Sequence, residues 1–146
     1  MIDPDRVVEI LLVDDSHTDA LLAKKALSSG KTINHVHHVS DGLQAMLFIR
    51  KQDKYDNAPR PDIILLDISL PAKDGNELLA ELKKDEDLRR IPIIVFTGSE
   101  AEKDILKAYD LNANCYIVKP VDFERFSVVM QDIQQFWFST VTLPSR

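Results

Sequence analysis

Ile63-Ile64-Leu65-Leu66-Asp67-Ile68-Ser69-Leu70-Pro71 is the stretch on which the fold turns. Four large apolar residues in a row, closed by a carboxylate, read as a short strand buried on both faces, the signature of a parallel sheet. Asp67 then stands at the carboxyl tip of that strand. In open α/β sheets the crevice beyond the carboxyl ends of the strands is where ligands bind.

Three other runs end the same way. Ile10-Leu11-Leu12-Val13 leads into Asp14-Asp15, Ile93-Ile94-Val95-Phe96 into Thr97, and Cys115-Tyr116-Ile117-Val118 into Lys119-Pro120. Four strands thus deliver three carboxylates, a hydroxyl and an amine to one sheet edge. Between them the apolar spacing changes from strand to helix. Strands are predicted at about 9–13, 35–39, 63–66, 91–96 and 114–118. Helices are predicted from 16 or 17 to 28, from about 43 to 52, over 76–84, from 99 or 100 through Tyr109, and from about 122 to 138. Gly30, Asp41-Gly42 and Asp74-Gly75 punctuate them. Residues 51–61, with two prolines, form a long surface loop. Strict alternation of five strands and five helices gives a doubly wound five-stranded parallel sheet of order 2-1-3-4-5, a flavodoxin-like fold.

The 146 residues suit one domain, with a core over about 9–138 and a tail over 139–146. No apolar run approaches the ~20 residues of a membrane span. The start, Met1-Ile2-Asp3-Pro4-Asp5-Arg6, lacks the basic and apolar regions of a secretory signal. With the lone Cys115, this points to the cytoplasm. A net charge of −6 argues against nucleic-acid binding. His35 and His37 fall on one face of strand two and His38 on the other, with no acidic partner nearby in sequence; they read as partly exposed strand residues. Asp85-Glu86-Asp87 before Arg89-Arg90 reads as a solvated loop, and Cys115 as a small buried residue.

Asp14, Asp15 and Asp67 in one cleft repel one another unless a cation intervenes. Mg²⁺ suits such an oxygen-rich site, with waters and phosphate oxygens completing its shell. Lys119 adds a positive charge and Thr97 a donor, while Gly98 and Ser99 leave backbone N–H groups near a helix start. A carboxylate so placed can attack a phosphoryl group and form an aspartyl phosphate.

Val13-Asp14-Asp15, Leu65-Leu66-Asp67, Phe96-Thr97-Gly98 and Val118-Lys119-Pro120, in this order on alternating elements, resemble the receiver domain of two-component response regulators. The resemblance implies that Asp67 is the phosphoacceptor. It implies that Asp14 and Asp15 hold Mg²⁺, Asp15 being favoured as the direct ligand, together with Asp67 and the backbone carbonyl of Ser69. Thr97 and Lys119 would contact the phosphoryl group, and Tyr116 would change rotamer as Thr97 moves. The Lys119–Pro120 peptide is expected to be cis, at the turn that aims the amine into the pocket. The insert Tyr55-Asp56-Asn57-Ala58-Pro59-Arg60-Pro61 and the ending Phe136-Trp137-Phe138-Ser139-Thr140-Val141-Thr142-Leu143-Pro144 are similar to the single-domain response regulators of cyanobacterial phytochromes. A phytochrome-linked histidine kinase would then be the donor, and a downstream protein the reader.

Two other classes share these features. A haloacid-dehalogenase-type phosphohydrolase also uses a strand-end aspartate and Mg²⁺, but carries a second Asp two residues on as acid/base, where this chain has Ser69. A nucleotide or flavin module would want a glycine-rich first turn, where this chain has Asp14-Asp15-Ser16-His17. The chain is therefore expected to be a phosphoacceptor that promotes its own phosphorylation and dephosphorylation, not an enzyme. On helix five, Phe126, Met130, Ile133 and Trp137 can face the sheet. Phe123, Phe136 and Phe138 are left without a core position, and Val141 and Leu143 extend beyond. This points to a two-fold homodimer through strand five, helix five and the tail; the other reading is a tail folded back over its own domain.

Overall fold

In a strand, successive side chains point to opposite faces, and here both faces are covered. The computed structural model describes residues 6–30 and 33–146; the start over 1–5, part of the segment in which no secretory signal was read, lies outside them. The strands are β1 (Val8–Val13), β2 (Asn34–Val39), β3 (Ile63–Leu66), β4 (Ile93–Thr97) and β5 (Cys115–Val118). The helices are α1 (His17–Ser28), α2 (Gly42–Ile49), α3 (Gly75–Lys84), α4 (Glu102–Asp110) and α5 (Phe123–Gln135). All strand pairs are parallel, in the order β2-β1-β3-β4-β5, as the alternation predicts.

Leu11, Val13, Ile64, Leu66, Ile93 and Val95 join α2, α3 and α4 in one core. Ile10, Leu12, Ile63, Leu65, Ile94 and Phe96 join α1 and α5 in the other. Every β3 side chain is fully buried, each worth roughly 1.5–3 kcal/mol of hydrophobic stabilisation. Capping side chains start the helices: Ser16, Asp41, Asp74 and Asp122 accept backbone N–H bonds from the first turns of α1, α2, α3 and α5. Helix α4 has no side-chain cap and begins at Glu102, later than the sequence suggests. The long loop is organised too: Tyr55 donates to Gln44 Oε1 at 2.8 Å and packs its ring at a 60° tilt against Phe48. No described helix is long and apolar enough to cross a membrane.

Two expectations are corrected. The Lys119–Pro120 peptide is trans, and no cis peptide occurs among the described residues. The Lys119 N–H stays paired with the Thr97 carbonyl at 2.7 Å, and the long lysine stem, rather than a sharp turn, carries the amine back to the cleft. Trans is also the cheaper isomer by about 0.5–1 kcal/mol.

The second correction concerns the tail. Helix α5 runs into a π-helical turn over Phe136–Thr140, and Phe138 and Leu143 are both buried in the core between α1, α5 and the sheet. Phe123 and Phe136 are exposed, as expected. Besides that burial, the tail is held by Asp62, just before β3. Its carboxylate accepts a two-pronged bond from Arg146 at 2.6 and 2.9 Å, and the Glu9 N–H at 2.8 Å. It also pairs with Arg6, which donates in turn to the Pro144 carbonyl at 3.1 Å.

Burial pushes the Asp62 carboxyl up, but Arg146, the Glu9 amide and Arg6 outweigh it and hold it below the usual carboxylate range. A carboxyl depressed in the folded state stabilises fully above its unfolded value of about 3.9 and loses that contribution as pH falls through the folded value. Asp62→Asn is therefore expected to cost ~2–4 kcal/mol at pH 7. The gap to the parent should close in urea melts below the ordinary carboxylate range; a pH-independent gap would refute the charge-based account.

Candidate functional site

Parallel register makes the strand ends level. Val13 pairs with Leu66, Leu66 with Val95 and Thr97 with Val118, so Asp14, Asp67, Thr97 and Lys119 emerge at one edge. Backbone bonds continue past the strands: Asp67 N–H to the Val13 carbonyl at 2.9 Å, and Asp14 N–H to the Val39 carbonyl at 3.1 Å. The loop after Asp67 returns tightly. A Cβ on Gly75 would stand 2.5 Å from Ile68 Cα and 2.6 Å from the Asp67 carbonyl oxygen, so only glycine lets α3 begin against the acceptor strand.

The Lys119 ammonium lies at the centre. It donates to Asp14 Oδ2 at 2.6 Å, Asp67 Oδ2 at 2.9 Å and Asp19 Oδ2 at 3.0 Å. An ammonium has three N–H donors, and three carboxylates take them. Asp67 Oδ1 accepts from Thr97 Oγ1 at 2.8 Å and from the Ser69 N–H at 2.9 Å. Asp14 Oδ1 accepts the Ser16 N–H at 2.9 Å. Asp14, Asp67 and Thr97 are buried.

The charges do not balance, and burial acts on each of them. Burial pushes the Asp14 carboxyl up, more than the bonds from Lys119 and Ser16 bring it down, and Asp67 adds to the rise. Burial alone would lower Lys119, but its bonds to Asp14 and Asp67 hold it above the usual lysine range. Three carboxylates around one ammonium leave the pocket with excess negative charge.

That excess suits a divalent cation. Asp14, Asp15 and Asp67 each offer a carboxylate oxygen, and these lie within 4.8 Å of one another, with Asp15 exposed to solvent. Hard oxygen donors with an open side fit Mg²⁺ or a similar ion that keeps waters.

Thr97 is turned toward Asp67. Tyr116, two residues along β5 from Val118, donates its hydroxyl to the Ser99 carbonyl at 2.9 Å in the β4–α4 loop. Its N–H donates to the Tyr109 hydroxyl of α4 at 3.2 Å.

Sequence reasoning missed several groups. Asp19, in the first turn of α1, reads as an ordinary helix-dipole acid, yet reaches Lys119. His38 Nε2 donates to the Asp14 carbonyl at 2.7 Å and so braces the acidic loop. Glu9 is the carboxylate that the histidines lacked in sequence. Its oxygens lie 2.9 Å from His35 Nδ1 and 2.7 Å from His37 Nε2, because β1 and β2 pair Glu9 directly with His35.

Residues 10–131 match the response regulator receiver domain. Response regulator Rcp1 of Synechocystis sp. is 44% identical over 136 residues, which are 93% of this chain and 92% of that protein. The crystal structure of the Mn²⁺-bound form of response regulator Rcp1 has a TM-score of 0.91 at 43% identity, over 94% of this chain and 99% of that one. That of the phosphorylated cyanobacterial phytochrome response regulator RcpA has a TM-score of 0.92 at 44% identity, over 96% and 100%. With the strand order and the edge cluster already described, these likenesses place the chain in the response regulator receiver domain family.

Proposed function

We propose that Asp67 accepts a phosphoryl group from the phosphohistidine of a phytochrome-linked histidine kinase, in the cytoplasm, and that the chain signals through the protein-binding surface this alters. The observation that carries the reading is the buried Asp67 carboxylate, held at once by Lys119 and Thr97 beside Asp14 and Asp15. The phytochrome link rests on the likeness to RcpA and on the insert and ending of the chain.

The chemistry follows from the bonding. Asp67 Oδ1 already accepts two bonds and Oδ2 one, so Oδ2 has the more available lone pair. That pair attacks phosphorus; the P–N bond breaks and its electrons stay on the imidazole nitrogen. Lys119 and Thr97 stand where donors are needed for the phosphoryl oxygens, and fixed donors aimed at developing charge are the main source of such catalysis. Asp14, Asp15, Asp67 and the Ser69 carbonyl would hold Mg²⁺, which supplies further charge neutralisation at those oxygens. Later attack by water on phosphorus breaks the P–O bond, returns the electrons to Asp67 and releases phosphate. The hydrolase alternative has no support here: Ser69 cannot replace a second aspartate as acid/base.

Acetyl phosphate with Mg²⁺ is expected to put one acid-labile, hydroxylamine-sensitive phosphoryl group on the chain. Asp67→Asn or EDTA should abolish it. Full labelling of Asp67→Asn would remove the basis of this assignment.

Thr97 and Tyr116 provide the outlet. A phosphoryl oxygen gives the Thr97 hydroxyl a charge-assisted partner, and Tyr116 ties β5 to the loop that follows Thr97. Phosphorylation should therefore change amide exchange over α4, β5 and α5. Thr97→Ala should cut that response by more than half while phosphorylation still occurs; an unchanged response would break the coupling.

The same face is proposed to pair two copies. Strand β5 is the sheet edge, and the buried Phe138 and Leu143 show that the tail lines its own domain, leaving β5 and α5 as the contact. Val121, Phe123, Val128 and Phe136 are exposed. Beside them Ile117, Val129, Ile133, Phe136 and Trp137 line a groove of about 280 Å³. Sedimentation at micromolar concentration should show a dimer in at least one phosphorylation state, weakened by Phe136→Asp. A monomer in both states would rule it out.

A further inference from the structure

We propose that Asp19 competes with the phosphoryl group for Lys119 and thereby sets how tightly Asp67 holds that group. The proposal rests on the reading of Asp67 as phosphoacceptor and adds a residue to it. All three Lys119 N–H groups are taken, by Asp14, Asp67 and Asp19. A phosphoryl oxygen can gain a bond from Lys119 only if one carboxylate gives one up. Asp67 Oδ2 yields its bond on becoming the ester oxygen, but drawing the ammonium onto the phosphoryl oxygens also stretches its bonds to Asp14 and Asp19. Asp14 is buried and tied at its other oxygen to Ser16. Asp19 is the loosest of the three: its side chain is 34% exposed and its bond, at 3.0 Å, is the longest.

Charge points the same way. Forming the aspartyl phosphate turns one negative charge at Asp67 into about two. Asp19 holds a further negative charge against the same ammonium. It therefore opposes that increase directly and also dilutes the pull of Lys119. Its place in the first turn of α1 explains a helix-stabilising acid, but not a bond to the amine of β5. Sharing Lys119 makes Asp19 a positioning residue, and one that lowers rather than raises the occupancy of the phosphorylated state.

The test uses the full chain, Mg²⁺ and fluoroberyllate, a phosphoryl mimic that binds an aspartate carboxylate reversibly, titrated calorimetrically. Asp19→Asn and Asp19→Ala are each expected to bind about two- to fivefold more tightly than the parent, the scale of a partly exposed charge pair. Asp19→Glu, which keeps the charge, should stay near the parent. Asp56→Asn, with the same change in net charge at an exposed site in the insert, should match the parent. Steady-state phosphorylation by acetyl phosphate should rise in the same order. A merely structural role predicts weaker binding in Asp19→Asn and Asp19→Ala, and that outcome, or no change, overturns the proposal. If the parent binds no fluoroberyllate, or Asp67→Asn binds as well as the parent, the phosphoacceptor reading fails instead.

Discussion

One ammonium holds the functional edge together. Lys119 lies within hydrogen-bond distance of Asp14, Asp19 and Asp67, and without it three carboxylates would meet in a mostly dry cleft. Removing water from like charges is costly, and groups in that position shift toward neutrality unless a counter-charge is supplied. One positive charge does not cancel three negative ones. The site is thus built short of balance, and the shortfall draws in a divalent cation. If Asp67 is the acceptor proposed above, the same imbalance means that a further negative charge needs metal, Lys119 and Thr97 all to face it.

Much of this was legible because strand ends are legible. A run such as Ile63-Ile64-Leu65-Leu66 can be buried only in a covered sheet, and parallel strands must end together, so Asp14, Asp67, Thr97 and Lys119 could be placed at one edge from sequence. Asp19 could not, because a first-turn acid has an ordinary explanation and its reach to Lys119 depends on how α1 leaves β1. Glu9 was invisible as a histidine partner for a related reason. It lies 26 and 28 residues from His35 and His37 in the chain, and only sheet register joins them. Hydrophobic pattern gave α5 and its buried stripe of Phe126, Met130 and Ile133. It could not show that the tail returns, because the sites that receive it, the core face over α1 and the Asp62 carboxylate, are far away in sequence.

The two ends of the sheet divide the labour. At the carboxyl edge, charges are unbalanced, partly open and able to exchange partners. At the amino edge, the Asp62 carboxylate is saturated by Arg6, Arg146 and the Glu9 amide. A buried carboxylate with all its acceptor sites used is a fixed point rather than a switch. It ties Arg6, ahead of β1, to Arg146 across the start of β3, at the opposite end of the strand from Asp67. On the proposed reading, rearrangement at Asp67 would therefore work against a sheet that is held at its far end.

That outer strand is β5, and its position explains why the signal should leave there. It carries Lys119 at its tip and Tyr116 within it. Its inner edge pairs with β4 through Thr97 and Val118, and its other edge has no strand beside it among the described residues. Central strands β1, β3 and β4 are packed on both sides and cannot shift without disturbing two neighbours. Strand β5 has one sheet neighbour, half-buried side chains, and a tyrosine hydroxyl that bonds to the loop after Thr97. A change in how Lys119 and Thr97 share their partners is felt first by the strand that carries one and pairs with the other. The 280 Å³ groove, lined by Ile117 with Val129, Ile133, Phe136 and Trp137, opens onto this same strand. On the proposed reading, the surface offered to a partner and the edge strand that carries Tyr116 are thus one place, which is what a phosphorylation-controlled contact requires.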